Sequence, residues 1–176
     1  MIVSNCMNAM GGMSSAELSV GLNQLKREHP PLLAQLEGLY QLTQQIEQGL
    51  GVEEKFAVLK AKVSQFKDEL DPHSEREEGV LFPMMGVYIG TTSGPIAVME
   101  YEHDQAKGQI GTFLEKAESS NLTTKEMQKL SELIKNAYFI LAEHFSKEEN
   151  ILFPMAERML TDEEKQVLYR KIQEIK

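Results

Sequence analysis

The sequence predicts an all-α protein, an up-down-up-down four-helix bundle followed by a short C-terminal helix. No segment shows the alternation of apolar and polar residues that indicates a strand, and glutamine, leucine, lysine and glutamate dominate the chain. Four long helical segments are connected by two short turns and one longer loop, a pattern that is typical of antiparallel bundles. The chain of 176 residues is long enough to enclose the core of one such bundle.

The first two helices form one predicted hairpin. Leucines between Leu22 and Leu42 give the first helix its apolar stripe, and residues from Phe56 to Leu70 give the second helix its own. Glycines at positions 49 and 51 end the first helix. We expect helices over 15–48, with a break at Pro30-Pro31, and over 52–85, with a kink at Pro72.

The second hairpin follows a Gly-rich connection over 86–94. Pro95 is favoured in the first turn of a helix, and we expect this third helix to extend to residue 119. The fourth helix is expected over 123–159. A short fifth helix follows Thr161, whose spacing to Glu164 is that of a capping box.

The composition is that of a globular protein and narrows the range of partners. Hydrophobic residues make up 41% of the chain and charged residues 26%, which argues against wholesale disorder. With 18 Lys and Arg against 27 Asp and Glu, the formal net charge is −9, so we expect neither nucleic acid nor a membrane as a partner. The single cysteine, Cys6, excludes an internal disulfide and an all-thiolate metal site.

The chain divides into three predicted segments. We expect a flexible leader over 1–14, in which Met13 is an alternative start, the bundle over 15–159 and the C-terminal helix over 160–176. The leader has neither the basic nor the apolar region of a secretory signal, and the longest uncharged run is interrupted by Gly and Pro. The expected location is therefore the cytoplasm.

Two thirteen-residue segments of the chain are nearly the same. Residues 73–85 read HSEREEGVLFPMM and residues 144–156 read HFSKEENILFPMA, with seven of the thirteen positions identical. A Glu-His pair precedes each segment, at 28–29 and at 102–103. We interpret the chain as two related helical hairpins that contribute the same ligand-type residues. In the LFP part we expect the apolar residues in the core and the prolines to kink or end the helices; these residues are Leu81, Phe82, Pro83, Leu152, Phe153 and Pro154.

The spacing places the histidines at one level of the bundle. His73 and Glu77 are four residues apart, as are His144 and Glu148, so each pair shares one helix face. Counted from the two hairpin turns, all four histidines lie roughly 27 to 35 Å along their helices, toward the Gly-rich connection. Six ligand-type side chains at one level form a metal site or a costly buried polar cluster, and a metal-free structural repeat is the alternative interpretation.

The repeated EH and HxxxEExxLFP motifs resemble the haemerythrin-like family in its HHE cation-binding form, over roughly residues 15–159. The resemblance implies a four-helix bundle around a non-haem centre of two iron ions, bridged by the carboxylates of Glu77 and Glu148. It also implies four terminal ligands, which are His29, His73, His103 and His144. Imidazole and carboxylate donors suit manganese or zinc as well as iron. Six side chains leave positions for an oxygen bridge, water or a diatomic ligand.

Four further glutamates lie next to these residues in the sequence: Glu28, Glu78, Glu102 and Glu149. They could orient the ligands from outside, although solvated helix charges are the favoured interpretation. Tyr101 and Tyr138 are weaker candidates for such a role, and we expect both to pack within the bundle.

The chain departs from the oxygen-carrying members that it resembles. Those proteins place a further histidine four residues after the one that corresponds to His103, where this chain has Lys107. Their last motif also has a longer His-to-Asp spacing, whereas this chain has His144 and Glu148. Both departures move the resemblance toward bacterial proteins that repair iron centres under nitrosative and oxidative stress. Those proteins carry an N-terminal domain with a Cys-containing motif, and here Cys6 lies in the predicted leader.

Three kinds of function remain open. The first is a di-iron protein that handles nitric oxide, oxygen or peroxide and that could donate iron to recipient proteins. The second is a sensor or metal-storage module without turnover. The third is a metal-free helical interaction module, which is disfavoured because every histidine belongs to the repeated pattern. No phosphate loop, dinucleotide fingerprint or nucleophile constellation indicates an organic substrate.

Overall fold

The computed structural model describes residues 17–176, and this part of the chain contains no strand. The predicted leader, residues 1–14, lies outside the described residues. Two π-helical turns interrupt the α-helices, π1 over Glu77–Leu81 and π2 over Glu148–Leu152. The α-helices are α1 (Val20–Glu47), α2 (Val52–Arg76), α3 (Phe82–Ile89), α4 (Pro95–Lys116), α5 (Thr124–Lys147), α6 (Phe153–Met159) and α7 (Asp162–Ile172).

The helices form the predicted up-down-up-down bundle. Helix α1 packs against α2 and α5, and α4 packs against α5 and α2. Helices α3 and α6 continue α2 and α5 beyond the π turns, and α7 folds back onto α1 and π1. The all-α fold with a short C-terminal helix is thus confirmed. Within residues 17–176, none of the helices combines the length and the apolar character that crossing a bilayer requires.

The predicted break at Pro30-Pro31 is wrong, because α1 passes through both prolines as one helix. The flanking side chains Leu25, His29 and Leu32 are at most 3% exposed. Packing on both sides of the prolines therefore outweighs the cost of about 3 kcal/mol that an interior proline imposes on a helix. Helix α2 likewise continues through Pro72.

The prolines of the LFP motifs do interrupt their helices, and each does so through a π turn. The backbone N–H of Phe82 donates to the carbonyl of Glu77, and that of Phe153 donates to Glu148, the wide hydrogen bond of a π-helix. Each π turn begins at the glutamate that lies four residues after a repeat histidine. The continuous helices predicted over 52–85 and 123–159 are therefore each divided at the same place.

The loop between the two hairpins is shorter than predicted. Helix α3 extends to Ile89, so only residues 90–94 connect it to α4, and Gly86 is helical. Gly90 and Gly94 have φ angles of 75° and 77°, a conformation that glycine adopts without strain. The predicted capping box does begin α7, since the Thr161 side chain accepts from the Glu164 N–H and the Glu164 carboxylate accepts from the Thr161 N–H.

Two apolar clusters lie along the bundle, one on each side of the histidines. The larger cluster occupies the end with the two hairpin turns and includes Phe56, Phe66 and Phe113. The smaller cluster lies at the other end, where Leu168 and Ile172 of α7 pack with side chains of both π turns. The polar residues of the repeat are thus enclosed between two hydrophobic regions.

Candidate metal centre

The structure brings all six predicted ligand residues together in the core. Each is at most 1% exposed to solvent. They form two four-residue groups in which the donor atoms lie within 4.8 Å of one another. Glu77 and Glu148 belong to both groups. The first group adds His29 and His73, and the second group adds His103 and His144.

The donor atoms of the two groups face one another without forming hydrogen bonds. The Nε2 atom of His144 lies 3.0 Å from Glu148 Oε1, and that of His29 lies 3.3 Å from Glu148 Oε2. The Nε2 atoms of His73 and His103 both lie 3.5 Å from Glu77 Oε2. All four Nε2 atoms and all four carboxylate oxygens are buried, and none has a hydrogen-bond partner among residues 17–176.

The other ring nitrogen of each histidine does have a partner. Every Nδ1 contacts one of the four neighbouring glutamates, which together form an outer carboxylate ring. The distances are 2.9 Å for His29 to Glu149, 2.8 Å for His73 to Glu28, 2.6 Å for His103 to Glu78 and 3.0 Å for His144 to Glu102. The favoured interpretation of these glutamates as solvated helix charges is wrong, because their carboxylates turn inward to the imidazoles.

The outer ring joins the two hairpins. His73 and His144 each pair with a glutamate from the first helix of their own hairpin. His29 and His103 instead pair with Glu149 and Glu78, which follow the inner carboxylate of the opposite hairpin. The pattern has twofold symmetry, and the sequence repeat is its origin.

These outer contacts determine where each imidazole carries its hydrogen. An ionised carboxylate only accepts hydrogen bonds, so each Nδ1 must be the donor. In a neutral imidazole the Nε2 atom then has a free lone pair, and here that lone pair points toward the inner carboxylates. A carboxylate behind the imidazole of a histidine ligand is the usual arrangement in metal sites, where it sets the tautomer and the ring orientation.

Cations lie beyond the outer ring. Lys107 donates to Glu78 of the outer ring at 2.7 Å. Lys147 contacts Glu102, and Arg76 lies 3.2 Å from Glu28. Lys26 is more distant, at 3.9 Å from Glu149. These contacts were not predicted from the sequence, although Arg76 and Lys147 occupy the same position of the repeat.

The two inner carboxylates differ in their preferred charge. Burial raises the pKa of Glu77 well above its ordinary value, and the adjacent Glu148 carboxylate raises it further. Burial also raises the pKa of Glu148, but the imidazoles of His144 and His29 outweigh this effect, so that its pKa falls below the ordinary value. Two adjacent buried anions repel each other strongly, and a divalent cation between them would favour ionisation of both.

Phenylalanine rings from both apolar clusters pack against the histidines. Phe145 stacks on His29 with a centroid distance of 4.5 Å, and Phe82 stacks on His103 at 5.8 Å. The predicted burial of the apolar LFP residues is confirmed, since all four are at most 1% exposed. Tyr138 packs against the larger cluster as predicted. The expectation for Tyr101 is wrong, because this side chain is 64% exposed.

The residues fit metal ions by their chemistry. Eight buried polar atoms without partners would each cost free energy in a protein that used them for nothing else. Cations that lie among these atoms would satisfy the four imidazole lone pairs and the two carboxylates. The absence of thiolate among the six residues favours iron, manganese or zinc over soft metals.

The fold and the site define a class of protein, a four-helix bundle with a repeated histidine–carboxylate cluster suited to metal ions in its core. Residues 20–156 match the family described as Hemerythrin HHE cation binding domain, and the chain belongs to this family.

Among curated proteins, the chain is similar to the iron-sulfur cluster repair protein YtfE of Musicola paradisiaca (strain Ech703). The two are 37% identical over 106 residues, which is 57% of this chain and 47% of that protein. The protein of the same name from Escherichia coli O81 (strain ED1a) is 42% identical over 101 residues, 51% of this chain and 42% of its own length. The match therefore spans about half the length of these relatives.

Proposed function

We propose that the chain is a non-haem di-iron protein. His29, His73 and the two inner carboxylates would hold one iron ion, and His103, His144 and the same carboxylates would hold the other. The observation that supports this proposal is the set of eight buried donor atoms that face one another without hydrogen bonds. Two groups that share Glu77 and Glu148 suit a pair of ions with bridging carboxylates.

The proposed reaction partners are nitric oxide, oxygen or peroxide. Iron in this site would supply one-electron chemistry and coordination positions that six side chains do not fill. The protein contributes imidazoles oriented by the outer ring and a core enclosed between the two apolar clusters. The relatives are named as iron-sulfur cluster repair proteins, which supports iron-sulfur proteins as recipients of iron from this chain.

The first test is the metal content of the protein purified without oxygen and without added metal. We expect about two irons per chain, because the two groups share both carboxylates. Zinc or manganese alone would replace the iron assignment with another metal in the same fold. Well-folded wild-type protein that binds no metal, even when iron is supplied, would overturn the proposal and favour a helical interaction module.

A second test separates turnover from sensing or storage. The iron-loaded protein is exposed to nitric oxide, oxygen or peroxide, and both its optical spectrum and the amount of reagent consumed are followed. With an electron donor added, consumption well beyond two equivalents per centre indicates turnover, whereas a stoichiometric spectral change alone favours the sensing module. Transfer of iron to an apo iron-sulfur protein supplied with sulfide, followed by the recovery of its cluster, tests the role in repair.

A further inference from the structure

The twofold symmetry of the site is broken where α7 covers the first hairpin. Val80 in π1 and Ile151 in π2 occupy the same position of the repeat. Val80 is 7% exposed and belongs to the smaller apolar cluster, whereas Ile151 is 55% exposed. Helix α7 contacts α1 and π1, the elements that carry His29 and Glu77.

Docking of α7 requires a close approach to α1. A Cβ atom added at Gly21 would lie 3.2 Å from the Leu168 side chain and 3.2 Å from the Tyr169 backbone nitrogen. The absence of a side chain at Gly21 therefore lets the backbone of α7 lie close to α1. Leu168 and Ile172 are then completely buried. These contacts hold the C-terminal end of α7 near the outer carboxylate ring.

Arg76 connects that end of α7 to the site. Its Nε donates to the carbonyl of Ile172 at 3.3 Å, and its Nη2 donates to the carbonyl of Ile175 at 3.0 Å. The Ile172 carbonyl lies at the C-terminus of α7, where backbone acceptors lack helical partners and the helix dipole favours a cation, and Ile175 lies three residues beyond. Its Nη1 donates to Glu28 Oε2 at 3.2 Å, and the same oxygen accepts from His73 Nδ1 at 2.8 Å.

The second hairpin has no such connection. Lys147, which corresponds to Arg76 in the repeat, contacts Glu102 and lies 2.9 Å from Glu143 on its own helix. It neutralises an outer carboxylate just as Arg76 does, but it binds no C-terminal carbonyl. The guanidinium fork is what lets one side chain reach a carboxylate and two carbonyls together.

We propose that Arg76 is a positioning residue that ties the docked α7 helix to His73 through Glu28. This inference rests on the proposed function, since it concerns metal binding at the first group. Docking of α7 then strengthens metal binding at the His29–His73 group through the imidazole of His73. By linkage, metal at the first group holds α7 more firmly on α1.

The test compares two variants of the full chain with matched controls. Arg76→Lys keeps a cation beside Glu28 but cannot span both carbonyls, and its control is Arg158→Lys at an exposed position of α6. Gly21→Val presses against α7 without touching the site, and its control is Gly38→Val in the same helix, where an added Cβ meets nothing within 4 Å. The apo-protein is titrated with iron(II) against a chelator, without oxygen, to give two stepwise dissociation constants.

Hydrogen exchange of α7 amides, measured with and without iron, is the second readout. We expect Arg76→Lys and Gly21→Val each to weaken one of the two steps by about 3- to 10-fold, less than the loss of a direct partner of a ligand. Both variants should also speed exchange in α7 and abolish its slowing by iron. The control variants should behave as wild type in both measurements.

Several outcomes would overturn the inference. Wild-type stepwise constants in both test variants, or iron binding that leaves α7 exchange unchanged in the wild type, would remove the connection while leaving the metal site intact. An equal effect in Gly38→Val would show that the docking of α7 is not the cause. Failure of the wild type to bind iron at all would overturn the proposed function, and is thereby distinguished from failure of this inference alone.

Discussion

The two hairpins of this protein contribute the same polar residues to the core but have different surroundings. The first hairpin is covered by α7 and carries Arg76, while the second is open to solvent at Ile151 and carries Lys147. The inner donors nevertheless keep the same arrangement in both halves. The repeat therefore supplies the same donors to both halves, whereas the packing contacts around each half differ.

The largest expected effect comes from a residue that both halves share. Replacing Glu148 by Ala removes a donor from both groups, so the protein should lose most of its iron at both positions. Metal analysis of the purified variant measures this loss, with Glu132→Ala at an exposed position of α5, the helix that precedes π2, as a control. Full occupancy in Glu148→Ala would sink the ligand assignment.

The outer carboxylates allow the two halves to be tested separately. Glu28→Gln removes the charge behind His73, and Glu102→Gln removes it behind His144. Each variant should weaken metal binding by roughly 10- to 100-fold at its own group. Stepwise iron titration of both single variants and of the double variant measures the dissociation constants.

The two losses should be roughly additive if the groups are independent. A control is Glu54→Gln at an exposed position. An unchanged affinity in both outer-ring variants would mean that these contacts do not orient the ligands.

The repeat-related apolar pair tests the covering by α7 directly. Val80→Ala leaves a cavity under α7 and should lower the free energy of unfolding by about 1–3 kcal/mol. Ile151→Ala removes a larger side chain, but from an exposed position, and should change stability by less than about 0.5 kcal/mol. Urea denaturation of the apo-protein compares the two variants. Equal losses would contradict the view that α7 covers only one half.

The smallest expected effect concerns the cations outside the ring. Partial burial raises the pKa of Glu78, but the hydrogen bonds from His103 and Lys107 outweigh it and lower the pKa to about 2. The ionised form is thus favoured by folding, so this contribution is complete above pH 4.5 and is lost as the pH falls toward about 2.

Lys107→Leu should therefore shift the acid-unfolding midpoint of the apo-protein upward by a few tenths of a pH unit, on the order expected for one partly exposed pair. Unfolding is followed by circular dichroism between roughly pH 2 and pH 6, a range that includes both the ordinary and the lowered pKa of Glu78. Lys26→Leu is the comparison, because Lys26 lies 3.9 Å from Glu149 and should produce a smaller shift. A larger shift in Lys26→Leu would reverse the expected order.

Much of the inner site could be predicted from local spacing. A histidine and a glutamate four residues apart share a helix face whatever surrounds them, and the repeat doubles this pair. The outer ring could not be predicted in the same way. Whether Glu78 faces solvent or His103 depends on the contact between two hairpins, and no local pattern records that contact.

The prolines also separate what a local sequence pattern predicts from what tertiary packing decides. Pro83 and Pro154 predict an interruption of the helices, since proline lacks a backbone donor. The π turn that resolves each interruption was not predictable from the residue alone. At Pro30-Pro31 the local signal predicts a break, but burial of Leu25 and Leu32 on either side keeps α1 continuous.

The sequence by itself determined the helical fold, the two hairpins and the six inner donors, because helix periodicity and i, i+4 geometry are local properties. Only the tertiary structure decided which glutamate pairs with which histidine and that α7 covers the first hairpin. Those outcomes depend on contacts between distant residues, such as Arg76 with Ile172 and Gly21 with Tyr169. The free energy of such contacts comes from how whole helices pack together.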